Sequence, residues 1–381
     1  MHPALSPLLD NIFSSNQTLE NESFSPVDAQ ERENVLNASA NQTTLHTENK
    51  GSEAKQADIP IEPTSSNQGV TDTRLCEESP LTEEAIQARN DWLRNHFVDL
   101  IESDNVDDQW HVYTFGVANN NTNTIERKLT FYQDYLELNP TDPLALHQLL
   151  KQCNQLPQNA NCSRSLEEKI IVIDEDNGLL WLQLAALALK QESLIDYARF
   201  LEIAATKERF DEYFFQYISA FERFSYGRLP LSFQERFSMA IGFIAAQPVF
   251  YGDVFSTCQQ SVELSNDSAE ICKQLAENIF LGGRTILLQG FGAGLASYFY
   301  EQTPGQENTQ RVPLEILNDF DQNSLLVSDS RTQIGLIDEA LVSNWLNDGI
   351  NFGEIIAYQN LIEEVSILLE DPNYNPCSER N

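Results

Sequence analysis

The sequence contains few basic residues. Of its 381 residues, 23 are Lys or Arg and 58 are Asp or Glu, which gives a formal net charge of −35 at pH 7. A protein that binds nucleic acid needs a basic face to replace the counterions of the phosphates. The composition therefore excludes nucleic acid as an expected partner and disfavours anionic lipid. Because the acids are scattered, we interpret them mainly as solubilising, with a basic protein partner as the alternative.

Long apolar runs are lacking as well. None reaches the roughly 18 residues of a membrane-spanning helix, so we expect no transmembrane segment. The stretch Pro3–Leu9 is too short and too rich in proline for the apolar core of a signal peptide. If the protein is exported, we expect that a leader has been removed or lies outside this sequence.

Aromatic residues are scarce at the start of the chain. Residues 1–80 contain Phe13 and Phe24 as their only aromatics and are rich in Asn, Ser, Thr, Gln and Glu. Such a segment cannot bury enough apolar surface to offset the entropy lost on ordering. The predicted organisation is a disordered acidic linker, a helical domain, further helical hairpins packed on it, and a tail, over residues 1–80, 81–230, 231–372 and 373–381.

The six cysteines include no CxxC pair and the five histidines are scattered, so we expect no metal site. Two local pairs flank predicted polar turns: Cys153 with Cys162, and Cys258 with Cys272. We predict a disulfide in each pair, because each would fasten two helices at a turn. The alternative is that these side chains are buried free thiols.

Two disulfides imply an oxidising compartment. The expected location is therefore periplasmic or secreted, with the cytoplasm as the alternative if the thiols are reduced. The remaining cysteines, Cys76 and Cys377, either pair or stay free, and their spacing does not decide between these.

A repeat organises the middle of the chain. The stretch Leu138–Leu144 aligns with Ile173–Leu179, 35 residues later, and an apolar helix follows each copy. A fainter third copy begins at Phe215. This period is close to the roughly 34 residues of a tetratricopeptide helix–turn–helix unit. The predicted core of the repeat consists of Leu149, Trp181, Leu184 and Ala185.

Trp181-x-x-Leu184-Ala185, with Ala204 late in the following helix, resembles a degenerate tetratricopeptide unit. The sequence departs from that pattern at Tyr197, where a small residue is typical. The resemblance implies an all-α fold, in which tetratricopeptide-like antiparallel helical hairpins form a short, irregular superhelix. The segment from Asp176 to Phe210 is also similar to uncharacterised helical proteins of bacterial envelopes.

Local signals complete the prediction of structure. We expect Asp176 or Asn177 to cap the Trp181 helix, since short polar side chains satisfy the free amides there. Residues 110–115, Trp-His-Val-Tyr-Thr-Phe, are interpreted as a short strand or extended segment. Two last helices are predicted over residues 336–347 and 352–369.

No catalytic constellation is evident. His96, His111 and His147 occur in no HExxH motif and beside no nucleophile motif, so we predict no catalytic residues and no cofactor. The glycines between Gly282 and Gly294 follow no predicted strand and lack the ending of a phosphate-binding loop. We interpret them as sites where two helices approach closely, with ligand binding as the alternative.

Aromatic side chains are dense between Phe210 and Tyr226. Most are expected in the core, but their occurrence at successive positions predicts that some face outward. The candidate partner-binding aromatics are Tyr213, Phe214, Tyr217 and Phe221.

These features favour a non-enzymatic helical-repeat protein that binds a protein or peptide partner in the cell envelope. One alternative is an enzyme on an all-α scaffold whose site is assembled from distant residues. The other is a structural subunit of an envelope assembly.

Overall fold

The computed structural model describes residues 83–116, 122–162, 165–229, 231–245, 252–253, 256, 258, 266–301 and 311–376. The predicted disordered linker, Cys76, Cys377 and most of the predicted tail lie outside the described residues. Within these ranges the regular secondary structure is entirely helical, with two isolated β-bridges between connecting segments. The predicted all-α class is confirmed.

The helices are numbered in chain order. The first seven are α1 Glu83–Ile101, α2 Val106–Phe115, α3 Thr122–Leu138, α4 Pro143–Gln155, α5 Ser165–Asp174, α6 Gly178–Lys190 and α7 Leu194–Ala205. The next eight are α8 Phe214–Ser225, α9 Phe233–Ala245, α10 Asn266–Gly282, α11 Ile286–Glu301, α12 Arg311–Ser328, α13 Ser330–Gly335, α14 Glu339–Phe352 and α15 Glu354–Leu368.

Equivalent residues of the repeat start two of these helices. The carboxylate of Asp142 accepts hydrogen bonds from the amides of Leu144 (2.8 Å) and Ala145 (3.0 Å) at the start of α4. The side chain of Asn177, 35 residues later, accepts from the amide of Leu179 (3.1 Å) at the start of α6. A short polar side chain at this position ends the preceding turn and begins a helix. The prediction of a cap at Asn177 is confirmed.

Successive helices pair and the pairs pack on one another. Helix α3 packs with α4, α6 with α7, α10 with α11, and α14 with α15. Between pairs, α4 packs on α6, α7 on α10, and α11 on α12. The predicted repeat core is buried at all four positions: Leu149, Trp181, Leu184 and Ala185. The described helices belong to one compact unit, Glu78–Asn381.

Helix α8 lies among several of these pairs. It packs against α2, α9 and α14, and its Tyr217 hydroxyl donates to the carbonyl of Leu144 in α4 (3.1 Å). Phe221 stacks edge-on against Phe115 of α2, and Phe215 against Trp345 of α14. Because neighbours surround it on several sides, α8 needs apolar residues around most of its circumference.

The predicted secondary structure differs from the structure in three places. Residues 110–115 belong to α2, not to a strand, because Asn105 caps that helix by accepting from the amide of Asp107 (3.0 Å). Acidic side chains in its first turn favour the helix further, and this local start outweighs the strand preference of the aromatic run. Helices α12 and α13 were not predicted, and the last two helices begin at Glu339 and Glu354, against the predicted positions 336 and 352.

Both predicted disulfides are present. Cys153 near the end of α4 is bonded to Cys162 in the turn before α5, at a sequence separation of 9. Cys258 is bonded to Cys272 in α10, at a sequence separation of 14. All four side chains are buried.

The glycines of α11 separate into tightly packed and open positions. A Cβ atom on Gly292 would lie 2.4 Å from the amide nitrogen of Phe280 and 2.9 Å from the carbonyl oxygen of Ala276, both in α10. A Cβ atom on Gly294 would meet nothing within 4 Å. The prediction of close helix packing therefore holds at Gly292, where only glycine lets the two backbones approach.

This difference predicts opposite effects of one substitution. We expect Gly292→Ala to destabilise the protein by about 1–3 kcal/mol, because backbone atoms of α10 must move. Gly294→Ala serves as the matched control and should stabilise by up to about 1 kcal/mol through helix propensity. Urea unfolding followed by circular dichroism measures both, and equal midpoints for the two variants would contradict the packing.

Candidate functional site

The aromatics proposed for partner binding lie mostly in the core. The side chains of Tyr213, Tyr217 and Phe221 are exposed by 2%, 1% and 0%, and that of Phe214 is partly buried. Their interpretation as surface anchors is wrong for the three buried residues, because α8 is enclosed by α2, α4, α9 and α14. The outward-facing aromatic of this region is Tyr226, just after α8.

The segment before α8, residues 207–213, runs between two helix pairs, and we call it the crossing segment. Its Arg209 carbonyl accepts from the amide of Gly178 at the start of α6 (2.8 Å). Its Phe210 amide donates to Gly282 (2.9 Å), and its Phe210 carbonyl accepts from Arg284 (2.9 Å). The crossing segment therefore ties α6 to the turn between α10 and α11.

Polar side chains hold the crossing segment in place. Buried Asn177 donates to the carbonyl of Asp211 (2.9 Å) and accepts from the amide of Asp211 (3.0 Å). Arg209 forms an ion pair with Asp174, and Tyr213 donates to the same carboxylate (2.5 Å). Tyr213 has a φ of 58°, in the region that favours glycine. These contacts fix the start of α8 despite its strained backbone.

The turn between α10 and α11 also contacts the turn between α14 and α15. The Glu354 amide donates to the carbonyl of Arg284 (2.8 Å), and the Arg284 guanidinium donates to the carbonyl of Ile350 (2.6 Å). In return, the Glu354 carboxylate accepts from the amide of Ile286 (2.6 Å). The carboxylate satisfies a free amide at the start of α11, as a capping side chain would.

Four large apolar side chains are exposed at the helix ends that adjoin these two turns, and we call them the turn patch. They are Leu281 (75% exposed), Leu287 (61%), Phe352 (60%) and Ile356 (40%). Isolated exposed apolar residues are ordinary on a protein surface, but grouped ones are typical of interaction sites. The turn patch is therefore a candidate binding surface.

A second group of side chains stands out by its charges. Lys128 of α3, Lys151 of α4, Glu212 of the crossing segment and Glu354 of α15 interact electrostatically in that order, and we call them the charged row. All four are partly buried and keep some contact with solvent. Four separate parts of the chain bring these charges together.

Burial lowers the pKa of both lysines to about 8. At Lys151 the carboxylate of Glu212 opposes this effect and the ammonium of Lys128 adds to it. Burial and the nearby Lys151 charge lower the pKa of His147, so its imidazole is neutral at pH 7. Its Nδ1 lies 3.0 Å from the hydroxyl of Tyr217.

The acidic half of the charged row is held by hydrogen bonds. The hydroxyl of Thr285 donates to the carboxylate of Glu212 (2.6 Å). Burial raises the pKa of Glu354 to about 7, although the hydrogen bond from Ile286 pulls in the other direction, and the charge of Glu212 raises it further. Glu354 therefore titrates near neutral pH.

The raised pKa of Glu354 predicts a pH effect on stability. Between about pH 4.5 and pH 7, the Glu354 carboxyl is protonated in the folded protein but ionised in the unfolded chain. This carboxylate therefore destabilises the fold in full above pH 7, and the cost disappears as the pH falls through that window. Relative to Glu354→Gln, we expect the wild type to gain on the order of 2–3 kcal/mol between pH 8 and pH 5.

Urea unfolding of the wild type and Glu354→Gln at both pH values measures this difference. Glu363→Gln, which alters an exposed carboxylate of the same helix, is the matched control. Its stability should change between pH 8 and pH 5 by the same amount as that of the wild type. A pH dependence identical in wild type and Glu354→Gln would contradict the assignment.

Sequence reasoning did not find the charged row or the turn patch. Neither forms a motif along the chain, because each joins residues that are distant in sequence. Among the described residues, no group of three or more His, Cys, Asp and Glu side chains is arranged to hold a metal ion. In the same part of the chain, no helix combines the length and apolar character needed to cross a membrane.

Comparison with known proteins adds no relative. No family model matches the chain, and neither the curated proteins nor the solved structures contain a match.

Proposed function

We propose that this protein binds a protein partner in the cell envelope and acts without catalysing a reaction. The observation that carries the proposal is the turn patch: Leu281, Leu287, Phe352 and Ile356 are each exposed, at helix ends beside two turns that are hydrogen-bonded to each other. Leu and Phe side chains on a rigid turn supply the apolar contact area that binding needs at low entropic cost.

The turns that carry the patch are rigid for a physical reason. The backbone and side-chain hydrogen bonds between Arg284, Ile286, Ile350 and Glu354 fasten each turn to the other. A surface that is already ordered loses little conformational freedom when a partner binds. The patch thus takes the role that the buried aromatics of α8 cannot fill.

The two disulfides support a location outside the reducing cytoplasm. We therefore propose that the partner is a periplasmic or secreted protein. The resemblance of the repeat to tetratricopeptide units fits a binding role, since helical-repeat scaffolds present extended surfaces.

A binding comparison of three variants tests this function. The immobilised wild type is incubated with an envelope extract of the source organism, and retained proteins are quantified by mass spectrometry. We expect a defined protein to bind the wild type and to be lost from Leu287→Glu combined with Phe352→Glu. Ile195→Glu is the matched control, because Ile195 is 85% exposed at the opposite end of α7 from the crossing segment.

Circular dichroism first establishes that the variants are folded. The proposal would be contradicted by a protein that still binds the patch variant but no longer binds the control variant. The absence of any specific partner would contradict it as well. Molar mass measured by light scattering distinguishes a different protein from a second copy of this chain as the partner. A dimer that is lost in the patch variant would identify a second copy and favour a structural subunit.

A further inference from the structure

The four helices that carry the turn patch contain almost no basic residues. Leu281 and Leu287 belong to α10 and α11, and Phe352 and Ile356 belong to α14 and α15. The sequences of α11, α14 and α15 contain no Lys or Arg, and that of α10 contains Lys273 alone. Each of the four contains acidic residues. The apolar side chains of the turn patch therefore lie on helices whose charges are almost entirely negative.

The basic side chains closest in sequence to the turn patch interact with the protein itself. The ammonium of Lys273 lies 4.4 Å from the ring centroid of Tyr300. The guanidinium of Arg284 donates a hydrogen bond to the carbonyl of Ile350 (2.6 Å). A protein that approaches this surface therefore meets apolar side chains and negative charge.

On the α10 side, the turn patch adjoins Glu208 of the crossing segment. The carbonyl oxygen of Glu208 is packed directly against Gly282, so that a Cβ atom on this glycine would collide with it. Gly282 follows Leu281 in the chain, and Glu208 is exposed. The carboxylate of Glu208 therefore reaches solvent close to the first apolar residue of the turn patch.

On the α14 side, Asp348 lies one helical turn from Phe352, because residues four positions apart are neighbours on one face of a helix. The carboxylate of Asp348 accepts a hydrogen bond from the side-chain amide of Asn360 (2.8 Å). Asn360 lies one turn from Ile356 in α15. Asp348 is partly exposed, and its carboxylate can accept further hydrogen bonds. A polar edge with one carboxylate therefore borders these two apolar residues.

We infer that the partner presents to the turn patch an apolar segment flanked by lysine or arginine residues. The apolar side chains of this segment cover the turn patch, and its basic side chains approach Glu208 and Asp348. The inference rests on the proposed binding role of the turn patch and specifies the chemistry of its partner. The net charge of −35 also accelerates the encounter with a basic protein at low ionic strength.

The same charges argue against a second copy of this chain as the occupant. Two copies that met through the turn patch would bring their acidic helices α10, α11, α14 and α15 together, and like charges across an interface repel. A segment with acidic flanks is disfavoured for the same reason. The basic flanks therefore distinguish the expected partner from these alternatives.

Three synthetic peptides test the chemistry of the partner. They share one length and one helical spacing of leucines, and their remaining positions carry lysine, glutamine or glutamate. Binding of each labelled peptide to the full chain is measured by fluorescence anisotropy at about 0.01 M and about 1 M salt, where screening lengths are about 30 Å and about 3 Å. At low salt we expect the lysine peptide to bind roughly ten-fold tighter than the glutamine peptide, and the glutamate peptide to bind least. High salt should largely remove these differences.

Variants locate the binding on the molecule. Leu287→Ser combined with Phe352→Ser removes apolar surface without changing the charge, and it should weaken binding of the lysine and glutamine peptides roughly ten-fold. Glu208→Gln combined with Asp348→Asn should weaken binding of the lysine peptide roughly three- to ten-fold and leave that of the glutamine peptide unchanged.

Glu126→Gln combined with Glu137→Gln is the matched charge control. It removes two exposed carboxylates of α3 and should leave binding of the lysine peptide unchanged. Circular dichroism establishes that each variant is folded. If the variant with two altered carboxylates at the turn patch fails to fold, Glu208→Gln alone, at an exposed position, should still weaken binding of the lysine peptide roughly three-fold.

Equal binding of the lysine and glutamine peptides at low salt would overturn the inference and leave the turn patch as a binding surface. Lysine-peptide binding that is unaffected by the serine variant, or weakened equally by the α3 control, would overturn it too, because the charge of the whole chain would then cause the attraction. The absence of binding by all three peptides, or a dimer lost in the serine variant, would also overturn it. The proposed function is tested separately, by retention of an envelope protein.

Discussion

Replacing Trp181 with alanine should destabilise the protein by about 3–5 kcal/mol. The indole is 2% exposed and packs against the ring of Phe200 in α7. Its Nε1 donates to the carbonyl of Glu175 (2.8 Å), and the ammonium of Lys207 lies over the ring. The substitution removes these contacts and leaves a cavity at the base of the α6–α7 pair.

Trp92→Ala is the matched control. This tryptophan is 39% exposed in α1, so its loss should cost less than about 1 kcal/mol. Urea unfolding followed by far-ultraviolet circular dichroism measures both variants without relying on indole fluorescence. Equal stability of Trp181→Ala and the wild type would show that the repeat does not organise the core.

Removal of either disulfide should have the next largest effect. The bonds Cys153–Cys162 and Cys258–Cys272 close loops with sequence separations of 9 and 14. In the chain-entropy model, each closure is worth about 3 kcal/mol because it restricts the unfolded state. We expect Cys153→Ala combined with Cys162→Ala, and the corresponding pair at the other bond, each to lose roughly that amount.

Thiol titration provides the control for these variants. Under denaturing, non-reducing conditions the wild type should show at most two reactive thiols, because four of its six cysteines are bonded. Each double variant should show no additional thiol. Six reactive thiols, or a thermal midpoint unchanged by a reducing agent, would contradict both the bonds and the proposed envelope location.

The sequence was informative where structure is set locally. The cap at Asn177, the helix of Trp181 and the two cysteine pairs depend on residues within a few turns, so the local sequence predicted them. Residues 110–115 were predicted as a strand because their side chains suit a strand equally well, but the cap at Asn105 starts a helix there. Local signals compete, and only the stronger one shapes the backbone.

The candidate sites were not predictable for a different reason. Amphipathic spacing shows that α8 is apolar, but it does not show that four other helices surround it, so Tyr217 and Phe221 could be read as exposed. The charged row joins Lys128 to Glu354 through tertiary packing alone. Such proximity has no signature in a single sequence.

The crossing segment changes how the molecule is expected to unfold. In a linear array of repeats each unit contacts only its neighbours, and the ends can fray while the middle persists. Here the backbone bonds of Phe210 to Gly282 and Arg284, and of Arg284 to Glu354, connect early helices to the last pair. Loss of the last pair therefore uncovers α8 as well, and we expect the described helices to unfold as one cooperative unit with a single sharp transition.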